Sequence, residues 1–421
     1  MIEKYQRRSA MPKGVNLLLP LAAQKKRTIE QKLLANFAAW GYQEVVTPTF
    51  EFCETLNPKN DQKLDEILYK FVDRTGKTLA LRHEFTIPIA RLTATHYAQS
   101  PLPLRFSYLN NVYRYAEPHD GRSREFYQAG VELLGAKSAA ADAEVISVLA
   151  TSLLALGIAD FQINLGHAGF CLGLWDELLP ALSAAEQQQI NLALHHKDAE
   201  ELGRLLEALA LAPEQKARFL KVTELYGQPQ IINSARELVT NEVSLKALAE
   251  LEEILAILKT RGLERHIIID LGEVKEIDYY TGMIFEVFVP SLGFPLGSGG
   301  RYDDLLSEFG CPLAAVGFAV ELGRLLLALE QLDGFAPEGA TSYLVVNKAD
   351  GILAEQVAVK LRAAGHNVVT DLLEREPKAV REYSRSQNIN KIIVVAEKAI
   401  FLYNLEDNSK QEITLTELER L

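Results

Sequence analysis

Three segments of the 421-residue chain set charged groups beside apolar strands or glycines. In LRHEFTIPIAR (81–91), Glu84 and Thr86 lie two apart and face the same way on an extended chain. In VYRYAEPHDGRSREFYQAGVE, which ends at Glu132, the residues Arg114, Gln128 and Glu132 are placed to project from neighbouring strands on one face. Gln128, Gly130 and Glu132 alternate, so the two polar side chains share a face with a glycine between them. That gap leaves room for the backbone of a ligand. The third segment is IDYYTGMIFE (277–286), followed by GSGGRYDD (297–304).

These residue types suit a zwitterionic amino acid. Its carboxylate calls for a guanidinium, which bonds it through two parallel N–H groups. Its ammonium calls for carboxylates or amides. Arg114 with Glu84, Gln128 and Glu132 supplies both halves, and Tyr279 or Tyr280 is available to a ring nitrogen of the ligand's side chain. Spacing alone leaves a plainer reading open for each residue, as a cross-strand ion pair or a solvated strand position. GSGG likewise reads either as a close approach to a ligand or as a strand-end turn. It is no P-loop, because the Gly-Lys-Ser/Thr ending is absent. Nothing pairs His83 or His119 with a serine or cysteine nucleophile.

The elements that must carry these residues are legible. Residues 22–40 repeat apolar positions at helical spacing and end at Gly41. A strand is predicted in YQEVVTPTF, at an edge or interface because of Pro48. Strands are expected at 78–83, 104–115 and 126–135, the last two as a hairpin with a long polar loop. A helix over 138–156 ends at Gly157. Residues 172–262, rich in Ala, Leu, Glu and Lys, read as a helical insertion. Strand patterns return at 266–272, 283–290 and near 310–320, before a helix at 321–331. The expected fold is α+β, a mainly antiparallel sheet with flanking helices over residues 1–331. A Gly- and Pro-containing linker at 332–342 precedes a small α/β domain at 343–421, expected to have a mainly parallel sheet.

Bulk properties exclude several classes. With 44 Lys and Arg against 56 Asp and Glu, the net charge of −12 disfavours a broad phosphate-binding surface. Cys53, Cys171 and Cys311 are far apart, so neither a disulfide framework nor a metal site is expected, and a reducing cytoplasm is the simplest setting. No run of 18 uncharged apolar residues suggests a membrane span, and the charged N-terminus does not resemble an export signal.

Taken together, VVTPTFE, LRHEFT, RYAEPHDGRSREFYQAGVE, IDYYTGMIFE, GGRYDDL and AVGFAVELGR resemble, in that order, the motifs of the histidyl-tRNA synthetase catalytic domain, a class II synthetase fold. The resemblance runs from about residue 10 to residue 330. It implies that Glu84 and Thr86 contact histidine. Arg114 would meet the histidine carboxylate and an ATP phosphate, Gln128 and Glu132 would surround the ammonium, and Tyr279 and Tyr280 would form the histidine-recognising loop. Arg122 and Arg324 match nucleotide-site positions.

The departures fall on the nucleotide half. Ala116 stands where synthetases carry the glutamate that reads adenine, and Glu117 where arginine is common. Lys275 and Glu276 replace the Arg-Gly that opens the histidine loop, and lysine lacks the planar fork. Glu321 and Gly323 stand where the third motif has Gly and Glu. A kept histidine half beside a damaged ATP half resembles the regulatory subunit of ATP phosphoribosyltransferase. That resemblance implies no catalysis by this chain, no cofactor, histidine as an allosteric ligand, and regulation of the first step of histidine biosynthesis. It also implies a homodimer through the region near Pro48 and a hetero-octamer with a short catalytic subunit. An active, divergent synthetase is the competing expectation. The C-terminal segment loosely resembles an anticodon-binding domain, but eleven Lys or Arg against twelve Asp or Glu give no electrostatic case for tRNA.

Overall fold

The computed structural model describes residues 10–115, 123–179, 182–195, 198–209, 211–272, 280–332, 342–349, 351–397 and 399–420. Arg122, Tyr279, Ala116, Glu117, Lys275 and Glu276, together with nearly all of the expected linker, lie outside the described residues. The chain divides into two compact units, Met1–Phe335 and Ala336–Leu421.

The first unit opens with α1 (Pro20–Ala39), which ends where Gly41 takes a φ of +84°, a left-handed conformation that favours glycine. The single strand expected over 42–50 is two pieces, β1 (Gln43–Glu44) and β2 (Phe50–Phe52). Pro48 lies between them and cannot donate to a ladder, which accounts for the break. Strand β2 joins β3 (Lys70–Val72) and β4 (Thr78–Leu81) in a small antiparallel sheet. After β4 comes α2 (Thr86–Leu92), then the hairpin of β5 (Leu104–Tyr113) and β6 (Glu125–Leu134). The hairpin leads to α3 (Ala139–Ala155), whose first turn is capped by Ser138.

Strand β7 (Gln162–His167) was not anticipated, although its polar and apolar residues alternate with period two. The insertion then runs as α4 (Ala168–Leu178), α5 (Ala184–His195), α6 (Ala199–Ala208), α7 (Pro213–Leu220), a two-residue β8 (Tyr226–Gly227), α8 (Ile231–Leu238) and α9 (Glu242–Thr260). The unit closes with β9 (Ile267–Asp270), β10 (Met283–Phe288), β11 (Gly297–Arg301), β12 (Ala315–Glu321) and α10 (Leu322–Glu330).

Nine strands form one sheet in the order β1-β5-β6-β12-β11-β10-β7-β9-β8. Pairing is antiparallel from β5 through β7, while β1 and β9 add in parallel. GSGGR is thus a strand in the middle of the sheet, not a strand-end turn. One face of the sheet carries Val131, Phe318 and Phe285 into a core shared with α1, α3 and α9. On the opposite face Phe106, Tyr108 and Ala315 pack with Phe85 and Leu306 in a second cluster. Within α3 the buried Asp142 receives two hydrogen bonds from Arg301, at 3.0 and 2.6 Å, tying that helix to the end of β11.

In the second unit, β13 (Ser342–Asn347), α11 (Gly351–Ala363), β14 (Asn367–Thr370), α12 (Pro377–Ser386), β15 (Lys391–Val395), β16 (Ile400–Asn404) and β17 (Lys410–Ile413) build a sheet in the order β14-β13-β15-β16-β17. The β13 pairs are parallel, but β15–β16 and β16–β17 are antiparallel, so the sheet is mixed and not mainly parallel. The four residues between β15 and β16 and the five between β16 and β17 permit only an antiparallel return, because a parallel partner needs a crossover of a dozen or more residues. Among the described residues of the chain, no helix is long and apolar enough to cross a membrane.

Candidate functional site

On the face of the sheet away from the large core, side chains from β5, β6, β11 and β12 surround a cavity of about 540 Å3. Glu84, Thr86, Arg114, Gln128, Glu132, Tyr280 and Arg324 all line it. The structure therefore gathers every described member of the expected set around one space.

Their geometry differs from the extended-chain expectation at Glu84 and Thr86. Residues from Thr86 onward are helical, so the two do not alternate on a strand. Glu84 instead accepts the backbone N–H groups of Thr86 and Ile87, each at 2.7 Å, closing the first turn of α2. A carboxylate there meets orphan donors and the positive end of the helix. Burial pushes the Glu84 carboxyl above its ordinary value, against the pull of those N–H groups.

Glu132 is 1% exposed. It accepts from Thr86 Oγ1 at 3.0 Å, from the Tyr302 hydroxyl, and more weakly from the Tyr108 hydroxyl at 3.5 Å. Burial nevertheless pushes its carboxyl up to about 8, with the neighbouring Glu84 adding to the rise. Glu132 reaches over Gly317, its register partner on β12. A Cβ at Gly317 would fall 1.7 Å from Glu132 Oε2, so only glycine allows this placement.

The gap at Gly130 is not left to a ligand, as the alternation suggested. A Cβ there would meet Phe318 O at 2.1 Å and the Tyr108 hydroxyl at 2.4 Å. The aromatic ring has taken the room because Tyr108 is the direct cross-strand neighbour of Gly130.

Arg114 continues the hairpin beyond β5, its N–H donating to Arg124 O at 2.9 Å. Its Nε donates to His83 O at 2.9 Å, and its guanidinium lies over the Phe126 ring, 5.3 Å from the centroid. These contacts hold it at the cavity edge. Of the buried polar atoms of the lining, Gln128 Oε1 and His83 Nδ1 have no hydrogen-bond partner among the described residues. Burial, reinforced by Arg114, lowers His83 to about 3, so its imidazole is neutral. Tyr280 covers Gly300, where a Cβ would lie 2.7 Å from the ring. Arg324 pairs with Glu321 at 3.0 Å.

The arrangement is rich in acceptors, with the Arg114 guanidinium at its margin and that of Arg324 engaged by Glu321. Buried acceptors without partners cost free energy that a ligand's donors recover. Carboxyls and amides are groups that suit an ammonium, and a guanidinium is one that suits a carboxylate. Sequence reasoning missed Tyr108, Tyr302 and Gly317. Tyr302 lay inside GGRYDDL, but nothing in its spacing distinguishes a hydroxyl that holds a carboxyl from an ordinary core tyrosine.

The sequence model of the histidyl-tRNA synthetase family matches residues 14–325. The ATP phosphoribosyltransferase regulatory subunit of Desulforamulus reducens is 41% identical over 381 residues, covering 90% of this chain and 94% of the relative. That of Moorella thermoacetica is 42% identical over 382 residues, covering 90% and 97%. The chain belongs to the family of histidyl-tRNA synthetase-like ATP phosphoribosyltransferase regulatory subunits. A crystal structure from Bacillus halodurans C, described as an ATP phosphoribosyltransferase regulatory subunit/histidyl-tRNA synthetase, superposes with a TM-score of 0.82 at 33% identity, covering 92% of this chain and 98% of the other. In this regulatory-subunit family member, the α+β synthetase-like sheet is the platform for the cavity just described.

Proposed function

We propose that this chain is the histidine-sensing regulatory subunit of an ATP phosphoribosyltransferase, itself without catalysis, in the first step of histidine biosynthesis. The observation that carries the reading is the set of buried acceptors facing one cavity: Gln128 Oε1 without a partner, Glu84 and Glu132 as buried carboxyls, and Arg114 at the margin. In this reading Glu84, Thr86, Gln128 and Glu132 hold the ammonium end of histidine and Arg114 its carboxylate. Tyr279 and Tyr280 meet the ring. Arg122 and Arg324 are remnants of a nucleotide site.

The partner is a short-form catalytic subunit, in a hetero-octamer that contains homodimers of this chain. Exposed Val46, Phe50, Phe52, Phe71 and Val72 beside the small β2-β4-β3 sheet support a self-association face, because soluble monomers rarely expose contiguous apolar patches. Regulation requires that histidine favour one state of the assembly over another, typically by about 1–3 kcal/mol. The reading assigns no tRNA to the second unit and places the protein in the cytoplasm.

The test is histidine-dependent exchange of labelled pyrophosphate into ATP, run beside histidine calorimetry on the same sample. Binding without exchange is expected. Robust exchange would replace this reading with that of an active synthetase.

A further inference from the structure

Glu321 ends β12 and is the N-cap of α10, and Arg324 follows three residues later. Glu321 Oε2 lies 3.0 Å from Arg324 Nε, and both side chains are largely buried, at 17% and 14% exposed. Both line the cavity. Arg324 is held further by a hydrogen bond to Pro295 O and by the Phe294 ring, 5.2 Å below its guanidinium.

A guanidinium in a cavity wall and a helix N-terminus each attract anions. In this cavity the chain's own carboxylate meets the guanidinium and stands at the N-cap position of the helix without a side-chain capping bond. On the adjacent strand, Gln128 is the direct register partner of Glu321 and brings its buried, unpartnered Oε1 to the same cavity. This end of the cavity therefore presents acceptors to an incoming group. A phosphate seeking Arg324 must break the ion pair or come into contact with the Glu321 carboxylate, and like charges so placed suppress the wrong ligand.

We propose that Glu321 is a specificity-determining residue, an internal anion that occupies Arg324 and excludes phosphate-bearing ligands from a cavity that accepts a zwitterionic amino acid. The proposal rests on the amino-acid reading above for what is admitted, but not for what is excluded.

Calorimetry of the full chain with ATP and with inorganic triphosphate tests it, in wild type, Glu321→Gln, Arg324→Gln and the double variant. Glu321→Gln should bind both anions roughly tenfold or more tightly than wild type. The gain should vanish in the double variant, because Arg324 is the cation set free. Equal anion affinity in wild type and Glu321→Gln would overturn the proposal, as would a gain that survives loss of Arg324. Circular dichroism and melting check that each variant is folded, and Glu321→Ser takes the place of Glu321→Gln if the latter is not. Histidine is titrated into the same samples. Absent histidine binding with the anion gain intact would refute the amino-acid reading alone, and histidine binding without the gain would refute the role of Glu321 alone.

Discussion

Glu132 sits where three hydroxyl donors and a buried apolar setting oppose each other, and burial wins. Its carboxyl titrates near 8 in the folded protein, against 4.5 ordinarily. Between these values the folded state holds a proton that the unfolded chain has lost, so its contribution to stability is complete below about 4.5 and is lost as the pH rises through about 8. Glu132→Gln removes that titration. Chemical denaturation at several pH values should show wild type losing stability relative to Glu132→Gln as the pH rises across this window, and parallel curves would remove Glu132 from the account. The same proton gives a binding signature. An ammonium seated beside Glu132 favours the carboxylate, so histidine binding near pH 7 should release a proton. Calorimetry in buffers of different ionisation enthalpy reads that release directly, and identical heats in all buffers would place the ammonium elsewhere.

At the scale of elements, β6, β12 and β11 are consecutive strands of the sheet, and residues of all three line the cavity. Gly317 is the tightest point, with Glu132 Oε2 at 1.7 Å and Val131 O at 2.5 Å from a hypothetical Cβ. Gly317→Ala should cost about 1–3 kcal/mol or more, measured by urea denaturation, and should weaken histidine binding by displacing Glu132. A second support is the Arg301–Asp142 pair, each side chain 6% exposed. Asp142→Ala leaves a buried guanidinium with only part of its bonding, at Asp303 and Ala136 O, and should cost about 3–5 kcal/mol in melting or denaturant experiments. Periodicity made the elements legible where one face is apolar, as in α1, α3 and the β5–β6 hairpin. It failed where function or topology overrides pattern. GSGGR has no side-chain alternation to read, yet lies mid-sheet because glycine admits the close approach of Phe318 and Phe285. The extended-chain expectation for Glu84 and Thr86 fails because the spacing of the two residues does not signal that the carboxyl accepts the first N–H groups of a helix opening two residues later. The gathering of Arg114, Gln128 and Glu132 around one cavity was legible from strand alternation, but the filling of Gly130 by Tyr108 depends on cross-strand register, which a single sequence does not specify.

At the scale of the whole molecule, one group of exposed apolar side chains lies at and beside the small three-stranded sheet. Val46 is 73% exposed, Phe50 53% and Val72 67%, and Phe50 meets Phe71 edge to face at 5.8 Å. Strands β2 and β3 are both edges of their three-stranded sheet, so backbone N–H and C=O groups are also open there. Covering this face with a second copy by two-fold symmetry would bury the patch, since isologous contact brings the same surface of each protomer together. A charge placed at an exposed position costs the fold within about 0.5 kcal/mol, whereas at the centre of an interface it is desolvated against apolar partners. Val46→Asp combined with Phe50→Asp should therefore leave the melting transition of the dilute protein little changed while shifting the sedimenting mass from dimer to monomer. A wild-type chain that sediments as a monomer, or a variant that stays dimeric, would move the self-association surface away from this sheet. Because the patch lies on elements distinct from the strands that bear Gln128 and Glu132, the monomeric variant should still bind histidine, and loss of binding with the fold intact would mean that assembly completes the cavity.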